Sequence, residues 1–343
     1  MAQYTHLSTP DPEIPPIPKY PGVLSKDAVP AMRKLFTTPL ERRLAMYEGR
    51  LPDESSYKVQ DHALKVDGGE ITVRVVTPVP TADEGAEFEF PVMVYFHGGG
   101  WVVGGLHQKD FDLRIISVEM RLVTVNVDYR LAPEYPFPIP VNDSYAALKW
   151  TVENAQTIHA SPSKGLIVCG ASAGANLAAV VAHRSLKDPF FAQHEGRKVT
   201  GQILQIPVLV HPQGYPTEYA GELLSYEQNR DAPILPRELM DLFWECYAAP
   251  PTSPDLAPLL ADRTGLKFPP VHFQICGLDP LRDEGLLYER LLREEGVKTK
   301  LDIYPGAPHG FSSMFPATTA GKKWDADWRE GIRWLLAGKG MPN

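Results

Sequence analysis

The sequence contains little cysteine and lacks both long hydrophobic runs and clusters of positive charge. Its three cysteines, Cys169, Cys246 and Cys276, are too few for a disulfide framework, and two of them lie in apolar runs typical of buried strands. No run approaches the ~20 apolar residues that a membrane span needs. The first residues also lack the basic and apolar regions of a signal peptide. We therefore expect a cytoplasmic protein with no membrane span.

Further absences narrow the possible functions. Lys and Arg number 34 against 42 Asp and Glu, so the net charge is −8 and no basic surface is available to offset phosphate. Histidine, cysteine and carboxylate residues do not recur at the spacing of metal ligands. The one glycine-rich stretch matches neither the dinucleotide fingerprint nor a P-loop. We expect no nucleic-acid partner, no metal and no cofactor.

Short apolar runs that alternate with helical segments predict an α/β fold. Hydrophobic residues make up 43% of the 343 residues, enough for a substantial core. The runs are apolar on both faces, which is typical of a mostly parallel sheet covered by helices. Strands are predicted at 57–66, 70–76, 91–96, 122–127, 166–169, 201–210, 271–276 and 300–304. Helices are predicted after residue 172 and at 110–121, 143–153, 238–247 and 282–295.

Two stretches interrupt this alternation. Residues 1–24 are rich in proline and predict an extended surface arm, and residues 25–50 predict short helices. Residues 211–258 are rich in proline and aromatic residues and contain a single helical patch. We interpret 51–210 and 259–343 as two parts of one core, and 1–50 and 211–258 as a helical cap over its site.

A serine lies at the turn between a predicted strand and a predicted helix. Residues 170–174 read Gly-Ala-Ser-Ala-Gly, which is the G-x-S-x-G pattern of a nucleophile elbow in the context that it requires. The glycines allow a tight turn that presents the Ser172 hydroxyl at a helix N-terminus. The alternative interpretation is a tight strand–helix crossing in which Ser172 only caps the helix.

Three consecutive glycines follow the strand at 91–96. They belong to the sequence His97-Gly98-Gly99-Gly100-Trp101, and they leave backbone N–H groups uncovered. Such a loop can donate hydrogen bonds to an anion, as an elbow enzyme requires for its oxyanion. A loop that is merely flexible is the alternative.

A serine nucleophile needs a base and an orienting carboxylate downstream of it. Asp279 comes first in the loop after the strand at 271–276, at a strand end where α/β sheets place catalytic groups. Asp283 already enters the next helix, where a carboxylate favours the helix dipole. His309 lies in a small loop after the last strand and completes the order Ser, Asp, His.

These motifs together resemble the hormone-sensitive-lipase family of α/β-hydrolase esterases. The matching text is HGGGW at 97–101, DYRLAPE at 128–134, GASAG at 170–174, DPLRDEG at 279–285 and HGF at 309–311. The wording GASAGA is similar to fungal members, including esterases of the versiconal hemiacetal acetate type. The resemblance implies an α/β-hydrolase fold with a helical cap built from about 1–50 and 211–258.

The resemblance also implies roles for individual residues. Ser172 is the expected nucleophile, His309 the general base and acid, and Asp279 the residue that orients it. The expected oxyanion donors are the amides of Gly99, Gly100 and Ala173. A homodimer is possible by the same resemblance.

The sequence departs from the family at the elbow, where Ala171 replaces an acidic residue and Ala175 a glycine. Neither position supplies the proton relay, so we expect activity to survive. In the DYRLAPE segment we expect Arg130 and Glu134 to form an ion pair that supports the glycine loop.

The expected function is hydrolysis of short- to medium-chain carboxylic esters through an acyl-enzyme. The substrate is a small-molecule ester, and the aromatic residues of 211–258 indicate a partly apolar pocket. Two alternatives stay open: amide hydrolysis of the arylformamidase kind, and a non-catalytic small-molecule receptor built on a hydrolase scaffold.

Overall fold

The computed structural model describes residues 3–18, 24–37, 39–85 and 87–337, apart from the side chain at position 195. An eight-stranded sheet forms its centre, with the order β1-β2-β4-β3-β5-β6-β7-β8. The strands are β1 Tyr57–Val66, β2 Gly69–Pro78, β3 Val92–Phe96, β4 Val123–Asp128, β5 Leu166–Ala171, β6 Gly201–Gln205, β7 Val271–Leu278 and β8 Thr299–Pro308.

Only the first two strands break the parallel arrangement. β1 and β2 form an antiparallel hairpin, β2 pairs antiparallel with β4, and the pairs from β4 through β8 are parallel. The hairpin turns through Asp67-Gly68, a dipeptide that favours the tight two-residue turn. The central strands β3 to β6 are buried on both faces, as helix-covered parallel strands are. The predicted mostly parallel sheet is confirmed.

Helices cover both faces of this sheet. They are α1 Val29–Phe36, α2 Leu40–Met46, α3 Asp110–Met120, α4 Ile139–Glu153, α5 Ala173–Lys187, α6 Pro189–Ala192, α7 Ser225–Gln228, α8 Arg237–Tyr247, α9 Arg282–Glu294, α10 Phe311–Met314 and α11 Thr319–Leu336. On one face α3 and α11 bury an apolar cluster against β3, β5 and β6. On the other face α4, α5 and α9 contribute to the larger core. Among the described residues, no helix has the length and apolar character to cross a bilayer.

The structure corrects one predicted element and adds another. The strand expected at 201–210 ends at Gln205, because Ile206 takes the left-handed conformation (φ 43°) and Pro207 has no N–H to donate to a ladder. The sequence interpretation also did not include the C-terminal helix α11, which buries Trp324 and Trp328. The other core elements lie within a few residues of their predicted bounds.

The N-terminal part of the chain packs on the core in two places. Residues 5–8 form a short 3-10 helix against β7 and β8, with Leu7 buried, so this part of the arm is not simply extended. Helix α1 lies against the glycine-rich loop, while α2 has no buried residue. The cap range expected at 1–50 also includes residues 1, 2, 19–23 and 38, which lie outside the described part of the chain.

Candidate active site

Ser172 occupies the sharp turn between β5 and α5. Its backbone has φ 56° and ψ −121°, a conformation that is strained for a residue with a side chain. The turn is held by the Ser172 N–H, which donates to the carbonyl of Gln205 at 2.8 Å. Gly170 and Gly174 pack so closely that a side chain on either would overlap neighbouring backbone. The serine hydroxyl does not cap α5, so the simple capping interpretation is wrong.

The three predicted side chains are hydrogen-bonded in series. The Ser172 Oγ lies 2.9 Å from His309 Nε2, and His309 Nδ1 lies 2.7 Å from Asp279 Oδ2. Because the carboxylate accepts from Nδ1–H, Nε2 is left to accept the serine proton in the neutral imidazole. All three are more than nine-tenths buried. They come from the carboxyl ends of β5, β7 and β8, which meet at one edge of the sheet.

The carboxylate of Asp279 is fixed from two sides. Its Oδ1 accepts the N–H of Leu281 at 2.9 Å, which leaves Oδ2 facing His309. Asn229 lies in the segment 211–258 between β6 and β7, which we call the insertion. Its side-chain amide donates to the main-chain oxygen of Asp279 at 2.9 Å. Sequence reasoning did not single out Asn229, and an isolated asparagine in an irregular segment carries no signal that could have identified it.

The glycine-rich loop lies directly beside the serine. A Cβ atom on Gly98 would lie 2.9 Å from the carbonyl oxygen of Ala171 and 3.5 Å from Cβ of Ser172. Glycine at this position therefore lets the loop and the elbow approach each other. In the part of the chain that the structure describes, the amides of Gly99 and Gly100 donate to no other protein group. Ala173 is the first residue of α5, where an N–H has no intrahelical acceptor.

His97 begins this loop as a buried, neutral side chain. Its ring stacks on Tyr129 at a centroid distance of 4.2 Å, and the Tyr129 hydroxyl donates to the His97 carbonyl at 2.7 Å. Burial lowers the pKa of His97 to about 4, because the low-dielectric surroundings disfavour the charged ring. His97 is therefore uncharged and holds the start of the loop through its contacts with Tyr129.

The expected ion pair between Arg130 and Glu134 is wrong. Arg130 instead binds the buried Asp143 through two side-chain hydrogen bonds of 2.7 and 2.9 Å. Glu134 accepts two hydrogen bonds from Arg33 of α1 at 2.7 and 2.9 Å. Arg33 also donates to the carbonyl of Val102, so this segment connects the loop to α1.

Aromatic residues of α8 cover the glycine-rich loop. The ring of Phe243 occupies the space that a side chain on Gly100 would need. Trp101 stacks on Tyr247 with centroids 4.2 Å apart and an interplanar angle of 4°, and Trp244 lies 5.3 Å away. The aromatic residues of 211–258 predicted a partly apolar pocket, but the sequence did not predict the contact between Phe243 and Gly100.

The residues after Asp279 form a buried charged cluster. Asp283 does not act only on the helix dipole, because its Oδ2 accepts the N–H groups of Leu224 and Ser225 at 3.0 and 2.7 Å. Burial raises the pKa of Glu284 well above its ordinary value, and Glu284 accepts the N–H of Leu209. This cluster anchors the insertion to the core beside the site.

A cavity of about 470 Å³ lies behind the loops that carry Asp279 and His309. It is bordered by the N-terminal residues 10–17, the insertion at 228–233, and the residues Leu278 and Pro308. The side chains of Ser172, Asp279 and His309 do not line it.

Known proteins share this sequence and this arrangement. A family model described as alpha/beta hydrolase fold matches residues 93–313. A versiconal hemiacetal acetate esterase of Dothistroma septosporum is 35% identical over 74% of this chain and 76% of its own length. The carboxylesterase NlhH of Mycobacterium tuberculosis is 38% identical over 74% of this chain and 75% of its own length.

A solved structure is similar along almost the whole chain. The crystal structure of vibralactone cyclase has a TM-score of 0.91 and 36% identity, and the match covers 98% of this chain and 97% of the cyclase. The relatives thus include esterases and a cyclase on the same scaffold.

Proposed function

The chain belongs to the α/β-hydrolase family, within its hormone-sensitive-lipase-like esterases, and from this premise we propose that it is a serine carboxylesterase acting on short- to medium-chain esters. The observation that carries the proposal is the continuous hydrogen-bond series from Ser172 through His309 to Asp279. A buried carboxylate, an imidazole and an elbow serine in this order match the geometry of acyl-transfer enzymes.

In the proposed reaction Ser172 Oγ attacks the ester carbonyl carbon while its proton passes to His309 Nε2. The resulting imidazolium is stabilised and oriented by the carboxylate of Asp279. Collapse of the tetrahedral intermediate breaks the bond to the alcohol oxygen, which takes the proton from His309. A water molecule then attacks the acyl-enzyme by the same route, and the carboxylic acid is released.

We assign the oxyanion donors to the amides of Gly99, Gly100 and Ala173. The loop lies against the elbow, and the first two amides have no protein acceptor among the described residues. Loss of one such donor costs about 10²–10³ in rate in related chemistry. Phe243, packed on Gly100, supplies an apolar wall from α8.

The cap assignment, the oligomeric state and the cellular location are proposals as well. We propose that 1–50 and 211–258 form the cap over a core made of 51–210 and 259–343. We also propose a homodimer and a cytoplasmic location.

The test is hydrolysis of p-nitrophenyl esters of increasing acyl length by the native chain and by Ser172→Ala. We expect turnover of short and medium chains by the native protein and none by the variant. A fluorophosphonate should label Ser172 of the native chain alone. Equal activity in the two proteins would show that another residue is the nucleophile. Hydrolysis of N-formylkynurenine, measured by the release of formate, compares amide with ester hydrolysis.

A second candidate is intramolecular acyl transfer, in which a hydroxyl of the substrate replaces water and a ring forms. The observation that favours it is the TM-score of 0.91 to vibralactone cyclase over nearly the full chain. Mass spectrometry of products from hydroxy esters separates the two: hydrolysis adds water, whereas cyclisation expels the alcohol without it.

A further inference from the structure

Residues 4–17 of the N-terminal arm lie against the ends of β7 and β8, which lead to Asp279 and His309. The N–H of Asp11 donates to the carbonyl of Gly306 at 3.2 Å, three residues before His309. A side chain on Gly277, two residues before Asp279, would overlap the carbonyl of Leu7. The arm backbone therefore occupies space that only glycine leaves open near the carboxyl ends of β7 and β8.

One buried side chain connects this arm to the catalytic loops. Arg282 has no exposed side-chain surface and lies three residues after Asp279. Its Nη1 donates to Ser8 Oγ of the arm at 2.7 Å and to the carbonyl of Gly277 at 3.1 Å. Its Nη2 donates to Gln228 Oε1 of the insertion at 2.8 Å. The planar guanidinium thus holds three separate segments in one geometry.

The positive charge of Arg282 is balanced by the neighbouring carboxylate of Asp283. Its Nε donates to Asp283 Oδ1 at 2.7 Å, and both side chains are almost fully buried. The other oxygen of Asp283 holds the backbone of Leu224 and Ser225. Removing the guanidinium would leave the buried carboxylate of Asp283 without its cationic partner. Protonation of the carboxylate or movement of the segments that it holds would then relieve this cost.

The residue that follows Gln228 contacts the main chain of Asp279. This residue, Asn229, donates its side-chain amide to the main-chain oxygen of Asp279 at 2.9 Å. The N–H of Arg282 donates to the same oxygen at 3.2 Å. The main-chain oxygen of Asp279 is therefore held by two donors, the side-chain amide of Asn229 and the backbone N–H of Arg282.

We propose that Arg282 is a positioning residue, through which the N-terminal arm and the insertion set the placement of Asp279 against His309. The inference rests on the proposed function, because placement matters only if Asp279 orients the base. Arg282 does not contact the reacting atoms. A misplacement of about 1 Å in such a site can cost about 10² in rate.

The experiment compares Arg282→Gln, Arg282→Lys and Ser8→Ala with the native chain on p-nitrophenyl butyrate. Active sites are counted by titration with a fluorophosphonate, so that turnover is expressed per competent serine. We expect Arg282→Gln to lower kcat per titrated site about 30- to 100-fold with KM changed less than about 3-fold. Arg282→Lys should recover part of this loss, and Ser8→Ala should lower kcat about 3-fold.

Arg290→Gln is the matched control. Arg290 lies on the same helix and binds Glu222 of the insertion through two hydrogen bonds of 2.9 and 3.0 Å, but it does not contact the loops of Asp279 and His309. It should keep the native turnover per site. The control therefore removes an arginine contact between α9 and the insertion but leaves the contacts of Arg282 with Ser8, Gly277 and Gln228 in place.

A purely structural role gives a different result. In that case Arg282→Gln yields fewer titratable sites, each with native turnover, and the proposal is overturned. If Arg282→Gln does not fold, Ser8→Ala and Gln228→Ala decide, and native turnover in both overturns it. A native chain that neither hydrolyses esters nor reacts with the fluorophosphonate contradicts the proposed function instead.

Discussion

Replacing Gly100 by alanine tests the contact between the glycine-rich loop and α8. Gly100 has φ +60°, and a Cβ atom there would lie 2.7 Å from Cε2 of Phe243 and closer still to other atoms of the ring. Carbon atoms need about 3.5–4.0 Å, so either the ring or the loop must move by more than about 1 Å. The left-handed conformation adds a cost of roughly 1–2 kcal/mol for a residue with a side chain.

The expected result is a large loss of activity with a smaller loss of stability. If the loop moves, the amide of Gly100 leaves its place in the proposed oxyanion hole, and kcat/KM falls about 10²-fold. Phe243→Ala removes the obstructing ring, so the double variant should recover at least about tenfold over Gly100→Ala alone. Such recovery measures the coupling between the two positions.

The assay is kcat/KM on p-nitrophenyl butyrate for the native chain, the two single variants and the double variant. Gly221→Ala is the control, because a Cβ there has no atom within 4 Å and the residue is outside the positive-φ region. Activity of Gly100→Ala within twofold of native would refute the reasoning. A double variant no better than Gly100→Ala would show that the backbone conformation, rather than Phe243, limits the loop.

Two predictions concern stability. The pKa of His97 is about 4 in the folded chain and near 6.5 when unfolded, so the unfolded state binds the proton first and stability falls as the pH drops from 6.5 towards 4. His97→Asn should remove up to about 2–3 kcal/mol of this pH dependence, measured by urea unfolding at pH 6.5 and 4.5. Arg130→Met leaves Asp143 buried and unpaired, and should lower the unfolding free energy by about 3–5 kcal/mol, whereas Glu134→Gln, at an exposed pair, should cost less than about 1 kcal/mol.

Each of these two stability predictions has an outcome that would contradict it. An unchanged pH dependence in His97→Asn would mean that His97 is not held neutral by burial. Equal losses for Arg130→Met and Glu134→Gln would mean that the pair with Asp143 is worth no more than a surface contact.

Local patterns were sufficient to predict the elbow and the strand ends that carry the site. Ser172, Asp279 and His309 each follow a predicted strand, and the carboxyl ends of neighbouring parallel strands lie at the same edge of a sheet. The glycine-rich loop was identifiable for the same reason. The roles of these residues and of the three amides stay predictions until the variants are measured.

Contacts between distant parts of the chain could not be read from the sequence. Arg33 and Glu134 are 101 residues apart, and Arg282 and Ser8 are 274 residues apart. The prediction for Glu134 was wrong because it paired this residue with Arg130, the nearest arginine in the sequence. The early end of β6 was missed because an apolar run continues past Gln205, although Pro207 is a local signal against a strand.

The glycine-rich loop is held by both halves of the proposed cap. Arg33 of α1 binds the carbonyl of Val102 directly after the loop, and Phe243 of α8 packs on Gly100 within it. Exchanging cap segments between relatives would therefore alter the catalytic rate as well as the range of substrates. An engineer who wants to change selectivity alone must transplant α1, α8 and the loop together.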